Sequence, residues 1–238
     1  MKIAIIGYGK MGKEIEAIAK DRGHEILFKF DIDNKESFTK ENLQKVDVAI
    51  EFTTPSSAYD NVMKCIEAGT PVVSGTTGWL EKLPEVKETL NKGQGALFYA
   101  SNFSIGVNIF FKINEYLAKI MNTQPGYNVS IQETHHIHKK DAPSGTAITL
   151  AQGIIKHHEK YDGWVLGKNP ENKKIPIEAI REDEIPGIHH IIYDSDVDTI
   201  ELKHSAKSRK GFALGAVLAA EFLAGKKGFY TMDDLLKF

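Results

Sequence analysis

The sequence predicts an α/β protein in two parts: a parallel sheet wrapped by helices, then an α+β region with an open mixed sheet. Three observations predict it. Over the first hundred residues, short runs rich in Ile, Val and Phe alternate with helical patterns, as in successive βαβ units. A glycine-rich turn, Gly7-Tyr8-Gly9-Lys10-Met11-Gly12, separates the first such run from the first helical pattern. Beyond residue 102 the runs become longer and partly alternating, the mark of strands exposed on one face.

In order, strands are expected at Lys2–Ile6, 26–30, 46–52, 71–74 and Ala96–Tyr99, each bounded by polar or glycine residues. Between the first two, Met11, Ile15, Ile18 and Ala19 recur at helical spacing and would bury one stripe against the sheet. Further helices are expected at 56–68 and 80–91, where Pro84 marks a start or an interruption. The second part opens with a helix over Ile105–Met121 and a strand over 127–134. Ala147, Ile148, Leu150, Ala151, Ile154 and Ile155 form a helical stripe, and strands follow at 175–180, 188–193 and 199–204. Residues 161–174, with Gly163, Gly167 and Asn169-Pro170, read as a polar surface connection. The apolar, small-residue stretch 212–223 suits a buried helix that returns to the first part.

Composition narrows the partners. At 238 residues, 42% hydrophobic and 26% charged, the chain is neither a disordered segment nor a disulfide scaffold. Thirty basic against 32 acidic residues leave a formal charge of -2, with no basic excess to grip nucleic acid or an anionic membrane. A small-molecule partner is expected. The single cysteine, Cys65, cannot form an internal disulfide, which fits the cytoplasm, and no apolar run approaches bilayer length.

The glycine turn carries a specific chemistry. Gly7 permits the tight turn, Gly9 lets the backbone approach a pyrophosphate, and Gly12 allows close helix–strand packing, while amides at the helix N-terminus face the phosphate charge. The plain alternative is a tight strand–helix turn without a ligand. Asp31 closes the second strand about 20 residues on, where a carboxylate accepts from both ribose hydroxyls and repels a 2′-phosphate. Ile32 rather than Arg follows it, so NADH is expected ahead of NADPH, with Lys29 and Lys35 near enough to blunt the repulsion.

The run from Glu133 to Ala147, with His135, His136, His138, Lys139 and Ser144-Gly145-Thr146, places proton donors beside an anion site. Pro143 fixes a turn and Ser144 suits an N-cap, so Ser144, Gly145 and Thr146 open a helix whose amides can hold a carboxylate. The imidazoles and ammonium offer positive charge and a transferable proton. Two alternatives stand beside this reading. One is a zinc site made from the histidines and Glu133, although neighbours on an extended segment alternate faces and no HExxH helix is present. The other is a solvated loop before a capped helix. His157-His158 and His189-His190 are read as surface or packing residues.

The pattern HHxHKxDAPSGTA resembles the dihydrodipicolinate reductase family. So do the segments Phe52-Thr53-Thr54-Pro55, Gly75-Thr76-Thr77-Gly78, Ser101 to Asn108 and His204 to Arg209, in matching order. The resemblance implies a Rossmann dinucleotide-binding domain of residues 1–104 and 210–238, and a substrate-binding and oligomerisation domain of residues 105–209, in a homotetramer. It implies NAD(P)H-dependent reduction of the cyclic imine derived from 4-hydroxy-tetrahydrodipicolinate, within lysine and diaminopimelate biosynthesis. By motif position His135 resembles the catalytic acid/base and Lys139 the proton donor. His136, Ser144, Gly145 and Thr146 resemble ligands of a dicarboxylate substrate. Gly75, Thr76, Thr77, Ala100, Ser101, Asn102 and Phe103 resemble contacts to the nicotinamide side of the cofactor. No metal is implied. A nucleotide-sensing protein that keeps the glycine turn without turnover is the alternative of another class.

Overall fold

A computed structural model describes residues 1–93, 95–169 and 172–238. The chain divides into two compact units, Met1–Ile105 with Lys210–Phe238, and Gly106–Arg209. The first unit opens with β1 (Lys2–Ile6), α1 (Lys10–Asp21), β2 (Glu25–Phe30), α2 (Lys40–Leu43), β3 (Val48–Glu51) and α3 (Pro55–Ala68). It continues through β4 (Val72–Ser74), α4 (Leu83–Asn91) and β5 (Ala96–Tyr99). The chain then enters α5 (Ile105–Met121), β6 (Asn128–His135), α6 (Gly145–Ile155), β7 (Gly163–Leu166), β8 (Lys174–Arg181), β9 (Ile188–Asp194) and β10 (Thr199–Ser205). Its end supplies α7 (Lys210–Leu223), β11 (Gly228–Tyr230) and α8 (Met232–Leu236) to the first unit.

The first sheet is parallel throughout, in the order β11-β5-β4-β3-β1-β2. Its inner strands are apolar on both faces because helices cover both. Ile3, Ile5, Ile50 and Phe98 pack against Ile15 and Ala19 of α1 and the Ala- and Gly-rich face of α7. The alternate residues Ala4, Ile6, Ala49 and Leu97 pack against Val62 and Ile66 of α3 and Val86 and Leu90 of α4. Each Ile, Leu, Val or Phe side chain so removed from water contributes about 1.5–3 kcal/mol, and each alanine methyl less.

Local chemistry sets the helix ends. Pro55 occupies the first turn of α3, Thr54 and Ser57 form a capping box there, and Gly69 ends the helix at φ 77°. The helix expected over 80–91 is a short 3-10 turn, Leu80–Lys82, followed by α4. Pro84 lies in the first turn of α4, where its missing N–H has no partner to lose, so it marks a start.

The second sheet is mixed, in the order β10-β9-β6-β8-β7, with β6 antiparallel to β9 and parallel to β8. One face carries Val129, Ile131, Ile177, Ile191 and Tyr193 into a core closed by Phe110, Ala118 and Met121 of α5 and Leu150, Ala151 and Ile154 of α6. Alternate residues on the other face, among them Ser130, Gln132, His190 and Ile192, stay half-exposed. The stretch expected as a surface connection contains β7, an edge strand parallel to β8. Four residues among glycines and polar neighbours carry too little alternation to announce a strand, and pairing with β8 supplies what the local pattern lacks. The expected Asn169-Pro170 turn includes Pro170, outside the described residues. Among the described residues, no helix is long and apolar enough to cross a membrane.

Candidate active site

The glycine turn leaves the end of β1. The Gly7 N–H donates to the Phe30 carbonyl at 2.8 Å, and Gly7 takes φ +90° with its α-carbon so close to the Phe52 carbonyl that a Cβ would stand 2.1 Å from that oxygen. A Cβ on Gly12 would stand 2.4 Å from the Gly7 carbonyl oxygen, so α1 can follow β1 this tightly only without a side chain there. Gly9 is the N-cap residue of α1, and no side chain caps the helix. The amides of its first turn are thereby left for an anion to meet.

These residues sit where the order of the sheet reverses, with β2 on one side of β1 and β3 on the other. Crevices of this kind at the carboxyl ends of parallel strands hold ligands. A groove of about 390 Å³ there is lined by Gly9, Lys10, Met11 and Gly12 together with Phe52, Thr53, Gly75, Thr76 and Thr77. A second groove, of about 450 Å³, lies against Tyr8, Asp31 and Asn34. The Asp31 carboxylate accepts from the Tyr8 amide at 3.0 Å and the Ile32 amide at 2.8 Å, which fixes it at the end of β2 facing the glycine turn. Lys29 is committed elsewhere: its Nζ lies 3.2 Å from Glu16 Oε1 and over the Tyr8 ring. Hydrogen bonds from Lys20, then Tyr8, hold the Glu16 carboxyl down to about 2. Glycines where backbone must approach, an uncapped helix N-terminus and a strand-end carboxylate together fit a dinucleotide.

A residue that sequence reasoning passed over organises the first groove. Glu51, wholly buried at the end of β3, accepts from Ser74 Oγ at 2.6 Å, Thr76 Oγ1 at 2.8 Å and the Thr53 amide at 3.0 Å, and also from the Thr53 hydroxyl. It ties together the two loops that line the groove. Of the residues after β5, Ala100 and Phe103 are buried and Ser101 is exposed, and the Ala100 amide donates to the Ser74 carbonyl at 3.4 Å. Asn102 Oδ1 accepts from the Ser104 amide at 2.9 Å.

In the second unit, β6 delivers Glu133 and His135 to the same face, two residues apart. His135 Nδ1 meets Glu133 Oε2, while Glu133 Oε1 accepts from Arg181 Nη2 at 2.9 Å and the Ser144 amide at 3.2 Å. Burial alone would raise the Glu133 carboxyl, but His135 and Arg181 outweigh it and hold the group ionised, below its usual range. The chain then passes through a cis Ala142–Pro143 peptide to Ser144, the N-cap of α6, whose Oγ accepts from the Ala147 amide at 3.2 Å. Ser144 Oγ also meets His189 Nε2 at 3.1 Å, and the His189 ring stands edge-on to His135 at 5.2 Å. Burial, then the neighbouring His135, pushes His189 down to about 3, so this imidazole stays neutral.

The other predicted residues of this run lie on the segment between β6 and α6 and in the first turn of α6. His136 is half-buried, with a ring Nδ1 that meets no hydrogen-bond partner among the described residues. Lys139 Nζ lies 2.8 Å from both oxygens of Asp141. Burial works to raise Asp141 and the lysine overcomes it, holding the carboxyl low. Gly145 is exposed at the first position of α6, and a Cβ there would meet nothing within 4 Å.

The expectation that the tandem histidines cannot converge on one point concerns His135 and His136; the residue that does approach His135 comes from β9. Ligand atoms of Glu133, His135 and His189 lie within 4.8 Å of one another. A cation among them would compete with Arg181 for Glu133. His189 was read as a surface or packing residue; it is buried, and it also bonds Ser144. Arg181 carried no expectation, because its role depends on a strand pairing 46 residues away in sequence from His135. A larger depression of about 910 Å³ beside Met1, Pro71 and Gly225 gathers neither the glycine turn nor the histidine run.

Comparison with known proteins joins the two halves. Residues 1–103 match the family model described as dihydrodipicolinate reductase, N-terminus, and residues 106–236 that described as dihydrodipicolinate reductase, C-terminus. The 4-hydroxy-tetrahydrodipicolinate reductase of Christiangramia forsetii is 50% identical over 236 residues, spanning 99% of this chain and 98% of the relative. The enzyme of that name from Thermosipho africanus is 36% identical over 239 residues, 100% of this chain and 98% of its own. Among solved structures, dipicolinate-bound dihydrodipicolinate reductase from Paenisporosarcina sp. TG-14 shares the fold at a TM-score of 0.81 and 24% identity, over 97% of each chain.

Proposed function

Because this chain belongs to the dihydrodipicolinate reductase family, an NAD(P)H-dependent oxidoreductase of lysine and diaminopimelate biosynthesis, we propose how its residues divide the reaction. The substrate is the cyclic imine, carrying two carboxylates, that forms from 4-hydroxy-tetrahydrodipicolinate by loss of water, and the product is tetrahydrodipicolinate. The reduced coenzyme supplies the hydride. Gly7, Tyr8, Gly9, Lys10, Met11 and Gly12 hold its pyrophosphate, Asp31 its ribose, and Gly75, Thr76, Thr77 and the segment Ala100 to Phe103 its nicotinamide side. NADH is preferred, since Asp31 offers acceptors to ribose hydroxyls and Lys29 is already paired with Glu16.

As hydride reaches the conjugated ring, an electron pair moves onto nitrogen, so the reaction needs positive charge and a proton beside it. His135 is the acid/base group and Lys139 the proton donor. The amides of Gly145 and Thr146 at the start of α6, with His136 and Ser144, hold one substrate carboxylate and orient the ring. Asp141 occupies Lys139 until the dicarboxylate competes for it. The observation that carries this reading is a shared carboxylate: Glu133 bonds at once the proton-transferring imidazole and the amide of the helix-capping residue. That geometry favours turnover over the nucleotide-sensing alternative, which has no use for it. The half-exposed outer face of the second sheet supports assembly with further copies of the chain, as a homotetramer, and the buried lone thiol of Cys65 supports a cytoplasmic setting.

The test generates the unstable substrate in place with its synthase and follows loss of NADH and NADPH absorbance separately. Oxidation is expected, faster with NADH; oxidation of neither rejects the assignment. His135→Gln and Lys139→Ala are each expected to lower kcat by about 10²–10⁴-fold while coenzyme affinity holds. Near-normal turnover in either removes that residue from its role.

A further inference from the structure

We propose that Glu133 and Arg181 are positioning residues that hold His135 with its Nε2 as the proton-exchanging nitrogen. This rests on His135 being the acid/base group. An ionised carboxylate only accepts hydrogen bonds, so the contact between Glu133 Oε2 and His135 Nδ1 requires the proton on Nδ1. Exchange with substrate is then left to Nε2. On that side stands Gly187, where a Cβ would lie 3.0 Å from Nε2, so the glycine keeps the nitrogen from being covered.

Arg181 makes the carboxylate itself immobile. It sits opposite His135 in the parallel β6–β8 register, and its Nη2 reaches both Glu133 Oε1 at 2.9 Å and the Asp141 carbonyl at 2.6 Å. Its Nε donates to the Lys139 carbonyl at 3.3 Å and its Nη1 to its neighbour Ile180 at 2.7 Å. One guanidinium therefore fixes the carboxylate that orients the imidazole and the backbone of the loop that carries Lys139. Glu133 is wholly buried, where an ion without such partners would be costly. His189, the other imidazole at this point, bonds Ser144 and leaves Glu133 to His135.

Glu133→Gln keeps the shape and still accepts from Arg181 and Ser144 through its carbonyl, but turns an NH2 toward Nδ1 and forces the proton to Nε2. The expected result is a fall of about 10²–10⁴-fold in kcat, with KM and calorimetric binding of dipicolinate unchanged. In protein labelled with ¹⁵N-histidine, a far-downfield proton on His135 Nδ1 is expected in the wild type and absent in Glu133→Gln; His135→Gln assigns it. Arg181→Lys, which keeps the charge but loses the fork, is expected to lower kcat about tenfold. Wild-type kcat in Glu133→Gln overturns the proposal. So does a wild-type spectrum with no proton on Nδ1, which decides the matter even if the variant does not fold. An active His135→Gln would instead reject the acid/base assignment, whereas an inactive His135→Gln beside a fully active Glu133→Gln rejects only the positioning role.

Discussion

In the proposed reaction Asp31 is the one carboxylate that sets coenzyme choice. Both its oxygens already accept backbone amides, from Tyr8 and Ile32, so it is held in place before any ribose arrives. Asp31→Ser is expected to weaken NADH binding by about 1.5–3 kcal/mol, roughly 10–150-fold, and to weaken NADPH binding less, since it also removes a charge opposed to the 2′-phosphate. Coenzyme fluorescence titrations check this, and a parallel loss for both coenzymes would remove Asp31 from the discrimination. Residues of this kind are legible in sequence because spacing along one βαβ unit places them. Glu51 is not, since its meaning comes from Ser74 and Thr76 on the next strand and its loop. Glu133 was visible only as one acid within a histidine run, and its partner Arg181 not at all.

At the scale of elements, α1 is tied to β2 through Glu16, which meets Lys20, Tyr8 and Lys29. Its carboxyl is held near 2 in the fold against an ordinary value of 4.5. A group whose folded value is depressed adds stability that is complete above its unfolded value and disappears as pH falls toward the folded one. Glu16→Gln is therefore expected to cost about 1 kcal/mol at neutral pH and much less near pH 2. Urea unfolding at both pH values checks it, and a cost that is the same at both would show that packing rather than charge is responsible. The long elements were readable because their apolar spacing repeats over several turns or pleats. Among those of three or four residues, β3, β4 and β5 were expected from their apolar runs, whereas α2, β7 and β11 were not: α2 is mostly polar, β7 and β11 open on glycine, and a neighbouring strand or helix decides them.

For the whole molecule, the alternation in β6 and β9 has a consequence beyond the core it builds. The inner positions are buried by α5 and α6, while Ile192 and His190 face outward from the same strands. Assembly through that face is expected to make the protein sediment as a tetramer, and Ile192→Lys to shift it toward smaller species without unfolding the chain. A wild-type monomer at micromolar concentration would refute the tetramer. By itself the sequence determined the α/β class, the glycine turn and its acid, and the histidine–lysine run before a capped helix, because each is a local pattern whose physics acts within a few residues or one βαβ unit. Only the tertiary structure decided that Arg181 and His189 close on Glu133 and His135, and that Glu51 joins two loops. Strand pairing brings together residues tens of positions apart, and no periodicity along the chain encodes that meeting.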